Sequence, residues 1–127
     1  MDLDIQPKGR DFVAEVHDQD LSVPISDRCV MAINDAMDRY AVLIFRKQSL
    51  APARQLQFAE NFGILDLGFK KTSKSPDRLG HAEVLDISNV DETGQVADRN
   101  HRKIVGNLAN QLWHSDSSFQ DPPARYS

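Results

Sequence analysis

His114-Ser115-Asp116 sets an imidazole and a carboxylate two positions apart. In extended backbone, side chains at i and i+2 project to the same side, so both groups can grip one cation. An imidazole and a carboxylate with open positions beside them are the start of a facial triad, the arrangement that suits non-haem iron(II). Open positions matter because a co-substrate and O2 must both reach such a metal. A second histidine, distant in sequence, would complete the set. Spacing alone is weak evidence. With four histidines and many aspartates, about half a His-x-Asp match arises by chance in a chain of this size. The competing reading, a surface turn in which Asp116 accepts backbone hydrogen bonds, stays open at this point.

The remaining reactive side chains give less. His17 lies among Asp18 and Asp20, His81 follows Gly80, and His101 precedes Arg102. None has a partner at ligand spacing, so each reads as solvated, with His81 and His101 the two that could line a cleft. The lone Cys29 excludes an internal disulfide; it reads as a small buried apolar residue rather than a nucleophile. Lys70, Lys71, Lys74 and Arg78 cluster in one stretch. They form either a solvated basic loop or an active-site loop that receives an anionic substrate. No Gly-x-Gly-x-x-Gly, Walker loop, Cys-x-x-Cys or Gly-x-Ser-x-Gly occurs.

These residues must be positioned by a single domain, since the chain has 127 residues. It is 40% hydrophobic and 27% charged, a globular composition. A net charge of −4 gives no footing for a general nucleic-acid or anionic-membrane binder. No apolar run nears the roughly 18 residues of a membrane span, and the N-terminus has no signal-peptide pattern. A reducing cytoplasm is the expected compartment.

Residues 1–11 are polar, broken by Pro7 and Gly9, and read as an N-terminal tail. Phe12-Val13-Ala14-Glu15-Val16 alternates like a half-buried strand. Ser26 is a plausible N-cap with Asp27 in the first turn. Val30, Ile33, Met37 and Tyr40 then mark one face of a helix. Ala41-Val42-Leu43-Ile44-Phe45 reads as a strand buried on both faces. A second helix is expected from about Pro52 to Phe62, with Leu56, Ala59 and Phe62 on one face and Gly63 as a left-handed cap. Val84-Leu85-Asp86-Ile87-Ser88 reads as a strand, Asp91-Glu92-Thr93-Gly94 as a turn, and Ile104-Val105 as the start of another strand. The mixture argues for an α/β or α+β fold. The chain stops just after Pro122-Pro123, as a new element begins, so a truncated sequence is expected.

A longer string now bears on the His-x-Asp pair. Gly106-Asn107-Leu108-Ala109-Asn110-Gln111-Leu112-Trp113-His114-Ser115-Asp116-Ser117-Ser118-Phe119 resembles the metal-binding region of the taurine dioxygenase / 2,4-dichlorophenoxyacetate dioxygenase family. So do Val42-Leu43-Ile44-Phe45-Arg46, the helix ending Phe58-Ala59-Glu60-Asn61-Phe62-Gly63, Asp86-Ile87-Ser88-Asn89-Val90, and Pro123-Ala124-Arg125-Tyr126-Ser127. The likeness runs from about residue 12 to the end and is greatest to the 2,4-dichlorophenoxyacetate branch.

The resemblance implies an α+β chain over 1–127 that forms the N-terminal part of a double-stranded β-helix, or jelly roll, with flanking helices and an incomplete core. It implies iron(II) held by His114, Asp116 and a later histidine, with 2-oxoglutarate and O2 as co-substrates. The implied reaction hydroxylates a small anionic substrate such as 2,4-dichlorophenoxyacetate, giving a phenol, glyoxylate, succinate and CO2. An alkylsulfonate such as taurine, or another small carboxylate, is the sibling substrate. An inactive fragment or a non-catalytic binding module on the same scaffold is the reading from another class. The family's distal histidine and its 2-oxoglutarate-binding arginine lie beyond Ser127, so the 127-residue chain alone is expected to be inactive and poorly folded. Asn110 falls where taurine-type relatives border the substrate, with turn capping as its ordinary role. Lys71 falls in the loop that reaches over the substrate, where an ammonium suits a carboxylate. Trp113 is expected to pack beneath the motif as core. Substrate-binding roles are thus expected for Asn110 and Lys71. No nucleic acid or membrane is expected as partner, and a homo-oligomer is allowed.

Overall fold

The computed structural model describes residues 3–67 and 79–127. It divides into two units, Met1–Leu65 and Asp66–Ser127. Lys70, Lys71, Lys74 and Arg78, and with them the reading of that basic loop, lie outside the described residues.

The first unit is a three-stranded sheet with a helix on one face. Strand β1 is Asp4–Lys8, β2 is Val13–His17 and β3 is Val42–Phe45, in the order β1-β2-β3. β1 runs antiparallel to β2, with Asp4 opposite His17 and Lys8 opposite Val13. β3 runs parallel to β2, with Val13 opposite Val42 and Val16 opposite Phe45. A parallel pair needs a long crossover, and helix α1 (Asp27–Tyr40) lies in it. Ser26 caps α1, its side chain accepting from the Cys29 N–H at 3.3 Å. At the other end Ala41 takes a left-handed φ of 59° and its N–H closes on Met37 O.

The alternation of the central strand decides how the helix docks. Ala14 and Val16 share one face of β2, where Ala14, Ala36 and Tyr40 cluster and Ile5 and Leu43 pack against them. Ile33 and Leu21 are also buried. The opposite face of β2 carries Glu15, which is buried as well. Lys8 Nζ lies 3.0 Å and Arg46 Nε 2.7 Å from its two carboxylate oxygens. Both cations sit diagonally across the sheet from Glu15, one on each neighbouring strand's side, within cross-strand reach. The Lys8 hydrogen bond, then that from Arg46, holds the Glu15 carboxyl below its ordinary value. Helix α2 (Pro52–Glu60) begins with proline in its first turn, and Phe58 meets Phe45 and Phe62 edge-on.

Three expectations for this unit need correction. Residues 4–8 form a strand rather than part of a tail. β1 is an edge strand with one half-buried side chain, so it shows no apolar pattern, and an edge tolerates Pro7. β3 is the other edge and is half-buried at most, with Val42 exposed. His17 is not a solvated histidine: its Nε2 is buried without a hydrogen-bond partner among the described residues. Cys29 is half-buried, and burial pushes its thiol up, which disfavours the reactive thiolate.

The second unit has little regular structure. Helix α3 (Arg102–Asn107) runs directly into a 3-10 turn at Leu108–Gln111. Residues 84–88 form no strand; the nearest pairing is the isolated bridge Val90↔Val96. The alternation that suggested a strand survives locally, with Leu85 and Ile87 exposed and Asp86 and Ser88 facing Lys103. Among the described residues no neighbouring strand completes a ladder for it. Ile104 and Val105 lie in α3 instead of starting a strand. That helix is capped by His101, whose Nδ1 accepts from the Lys103 N–H at 3.3 Å, outside the usual capping set. The Asp91–Gly94 turn does form: Asp91 Oδ1 accepts from the Thr93 N–H, the Thr93 hydroxyl and the Gln95 N–H. Gly94 has φ +86°, open to glycine at no steric cost. Among the described residues no helix is long and apolar enough to cross a membrane.

Candidate metal centre

α3 and the 3-10 turn deliver the chain to His114 and Asp116, with only Leu112 and Trp113 between the turn and the first of them. Residues 113–115 have neither helical nor strand hydrogen bonding. The pair converges: His114 Nε2 lies 3.3 Å from Asp116 Oδ1. Both side chains are about half exposed or more, 46% and 63%, so the pair is open to solvent and to any ligand. Ser117 follows with a left-handed φ of 53° and turns the chain away. Gln120 closes that turn, its N–H donating to Ser117 O and its amide to Asp66 at 2.7 Å.

The ring of His114 is oriented by its own backbone. Its Nδ1 lies 2.7 Å from Leu112 O. A carbonyl oxygen only accepts, so Nδ1 carries the proton. Nε2 then faces a carboxylate oxygen, which also only accepts. That contact is attractive in two cases: Nε2 is protonated too, or a cation lies against both atoms. The second case fits the donor set. Two donors about 2.1 Å from one ion and at right angles, as in an octahedral or facial site, stand about 3.0 Å apart. A backbone carbonyl on Nδ1–H is also the usual outer support of a metal-binding histidine, because it fixes the tautomer and leaves Nε2 its lone pair. The surface-turn alternative needs Asp116 to accept backbone N–H groups; the contact recorded for its carboxylate is the imidazole.

The pair remains two donors. Among the described residues no group of three His, Cys, Asp or Glu side chains is assembled around a metal position. Neither His81 nor His101 joins the pair as a ligand in such a group. His101 is committed to capping α3 and to Glu92, with Nε2 3.4 Å from Oε2, so it is not simply solvated. His81 is half-buried in a turn.

The other expected site residues divide. Asn110 sits exposed in the 3-10 turn. Lys71 lies outside the described residues. Trp113 does not pack beneath the motif: it is fully exposed, as Leu112 and Phe119 largely are. The second unit buries no apolar side chain among its described residues, so there is no core for an indole to join.

Lys103 escaped the sequence reading. Its ammonium lies 2.8 Å from Asp86 Oδ2, 3.3 Å from Ser88 Oγ and 3.0 Å from Val90 O. The partners are remote in sequence, and a lysine in a short helix carries no spacing signal that points to them. Beside it, Glu92 takes Arg102 at 3.3 Å as well as His101.

The family model described as "Taurine catabolism dioxygenase TauD, TfdA family" matches residues 4–127. The chain is 52% identical over 116 residues to the alpha-ketoglutarate-dependent 2,4-dichlorophenoxyacetate dioxygenase of Cupriavidus pinatubonensis, covering 91% of this chain and 40% of that protein. It is 50% identical over 116 residues to the enzyme of the same description from Burkholderia sp. strain RASC, covering 91% and 39%. Its structure superposes on AAD-2, solved in complex with Mn(II) and N-oxalylglycine, with a TM-score of 0.80 and 34% identity over 98% of this chain and 40% of that one. The chain thus spans about 40% of the length of these relatives.

Proposed function

The chain belongs to the TauD, TfdA family of taurine catabolism dioxygenases, and on that premise we propose that His114 and Asp116 hold iron(II) for a 2-oxoglutarate-dependent dioxygenation of an aryloxyacetate such as 2,4-dichlorophenoxyacetate. The observation that carries this reading is the convergence of Nε2 and Oδ1 at 3.3 Å with Nδ1 tied to Leu112 O. The 52% identity to a 2,4-dichlorophenoxyacetate dioxygenase supports the substrate class. The Mn(II) and N-oxalylglycine bound by AAD-2 support a metal with a 2-oxo acid on it.

In this reading the residues present do three things. Leu112 O holds the imidazole with its Nε2 lone pair outward. Asp116 would supply a second donor and a negative charge to a divalent cation at the pair. The exposure of both leaves positions free for the co-substrate and O2. Iron(II), with 2-oxoglutarate and O2, supplies the oxidation. The substrate carbon beside the ether oxygen is hydroxylated, and the resulting hemiacetal splits into a phenol and glyoxylate while 2-oxoglutarate leaves as succinate and CO2. A third donor and a partner for the far carboxylate of 2-oxoglutarate are needed beyond those named, and the fold that would bring them is a jelly roll. Lys71 and Asn110 are the proposed contacts to the substrate's anionic end.

The family description itself favours a second reading, an alkylsulfonate such as taurine in the same mechanism. The test is substrate-dependent succinate release by the protein of the full reading frame containing these residues, across aryloxyacetates and sulfonates. 2,4-Dichlorophenoxyacetate is expected to give the highest kcat/KM. Taurine in that place would exchange the substrate and keep the mechanism. Succinate release that no substrate increases, from protein that binds Mn(II), would favour a binding module. The 127-residue chain by itself is expected to release none.

A further inference from the structure

The second unit poses a problem that its apolar residues do not solve. Leu85, Ile87, Val105, Leu108, Leu112 and Trp113 are all exposed and Ile104, Val84 and Val90 are only half-buried, so hydrophobic burial among the described residues gives α3 a weak hold. Yet α3 and its 3-10 turn set where His114 begins. The specific ties on α3 among the described residues are polar. Lys103 has three ammonium protons and three acceptors within hydrogen-bond range: Asp86 Oδ2, Ser88 Oγ and Val90 O. Its side chain and that of Asp86 are the best covered among the ion pairs of the unit's described residues, 25% and 17% exposed. Charge-assisted bonds of this kind are stronger than neutral ones, and cover from solvent limits screening.

We propose that Lys103 is a positioning residue for the metal pair: by clamping α3 to the Asp86–Val90 segment it sets the entry of the chain into Leu112–Asp116, and so the alignment of His114 Nε2 with Asp116 Oδ1. The inference rests on the metal reading of that pair. An ammonium with all three protons engaged inside the polypeptide has none left for a substrate carboxylate, which separates Lys103 from the role proposed for Lys71. The clamp acts from the N-terminal side of the motif; Gln120 on Asp66 ties the chain again on the other. Between the two ties lie the residues whose carbonyl and side chains form the site. Losing the upstream tie frees α3 to move as one piece with the 3-10 turn, and Leu112 O moves with it.

The probe is Mn(II) alone, titrated into the protein of the full reading frame at a temperature where circular dichroism shows each variant folded. Outer supports of metal ligands are typically worth about 10–100-fold in affinity. Lys103→Met, which keeps the stem and loses the charge, is expected to weaken Mn(II) binding at least about 10-fold. Lys103→Arg should recover part of that loss. Asp86→Asn should reproduce it, and the double variant should lose no more than the worse single one. Mn(II) affinity within about twofold of the parent in Lys103→Met, or losses that multiply in the double variant, would overturn the proposal. If Lys103→Met does not fold, Asp86→Asn decides on the same criterion. A metal-free readout separates this inference from the metal reading. The nitrogen shifts of the His114 ring report which nitrogen holds the proton, Nδ1 in the parent. They should move toward a tautomer mixture in Lys103→Met whether or not Mn(II) binds. Unchanged ring shifts would sink the positioning role even where the metal reading stands.

Discussion

The two units of this chain solve the same problem by different means. In residues 3–65 a helix covers one face of a mixed sheet. Ala14, Val16, Leu21, Ile33, Ala36 and Tyr40 are buried there, and the single buried charge, Glu15, has a cation on each side. Among the described side chains of residues 79–127 no apolar one is buried, and the ties are a hydrogen-bonded turn at Asp91, the Lys103 contacts and the Glu92 pairs. The proposed metal pair, His114 and Asp116, sits in the second unit. Burial gives a scaffold whose cost of distortion is high; polar ties on an open surface give a site that ligands can reach, at lower local stability. Substitutions in each unit test that contrast.

The largest effect is expected at Ile33. Ile33→Ala should lower the unfolding free energy of the first unit by about 2–4 kcal/mol, read as lost helical circular dichroism in urea. A smaller loss would mean that the helix–sheet core is looser than its burial implies. Next is Glu15. Its folded-state carboxyl ionises below the ordinary value of 4.5, so the unfolded chain binds the extra proton as pH drops through that range. The stabilisation from Lys8 and Arg46 is whole above about pH 4.5 and is lost as pH falls toward the folded-state value. Glu15→Gln should flatten this part of the acid-unfolding curve, and an unchanged curve would assign the acid sensitivity elsewhere. Ser26→Ala removes the cap of α1 and should cost about 1 kcal/mol. Ala41→Gly relieves a left-handed alanine and should gain about 0.5 kcal/mol after the added freedom of the unfolded chain is counted. In the same urea titrations Trp113→Ala should change stability by less than about 0.5 kcal/mol, because the indole is fully exposed. A cost near that of Ile33→Ala would erase the distinction between the units.

Legibility in the sequence followed the same division. β2 and α1 could be read because each keeps a period set by one covered face; β3 showed as a short apolar run, although it is half-buried at most, and α2 showed by its N-terminal proline and an apolar stripe. β1 could not: an edge strand with Ile5 as its one half-buried side chain has no period to show. In the second unit the alternation at residues 84–88 predicted a strand, but Asp86 and Ser88 face a lysine rather than a neighbouring strand. Ile104-Val105 looked extended because nothing in local propensity marks His101 as a helix cap. At the site, the spacing of His114 and Asp116 was visible, whereas the Leu112 carbonyl that orients the ring has no side-chain signature. A large aromatic such as Trp113 ordinarily joins a core; among the described residues its unit buries no apolar side chain for it to join.

The central claim is that one imidazole and one carboxylate share a cation. Calorimetric titration of Mn(II) into the full-reading-frame protein, beside its Asp116→Ala variant, tests it most directly. Since even outer supports of metal ligands are worth about 10–100-fold, losing Asp116 itself should cost about 100-fold or more, from a one-to-one site in the parent. Equal affinity in parent and variant, with both folded, would contradict it.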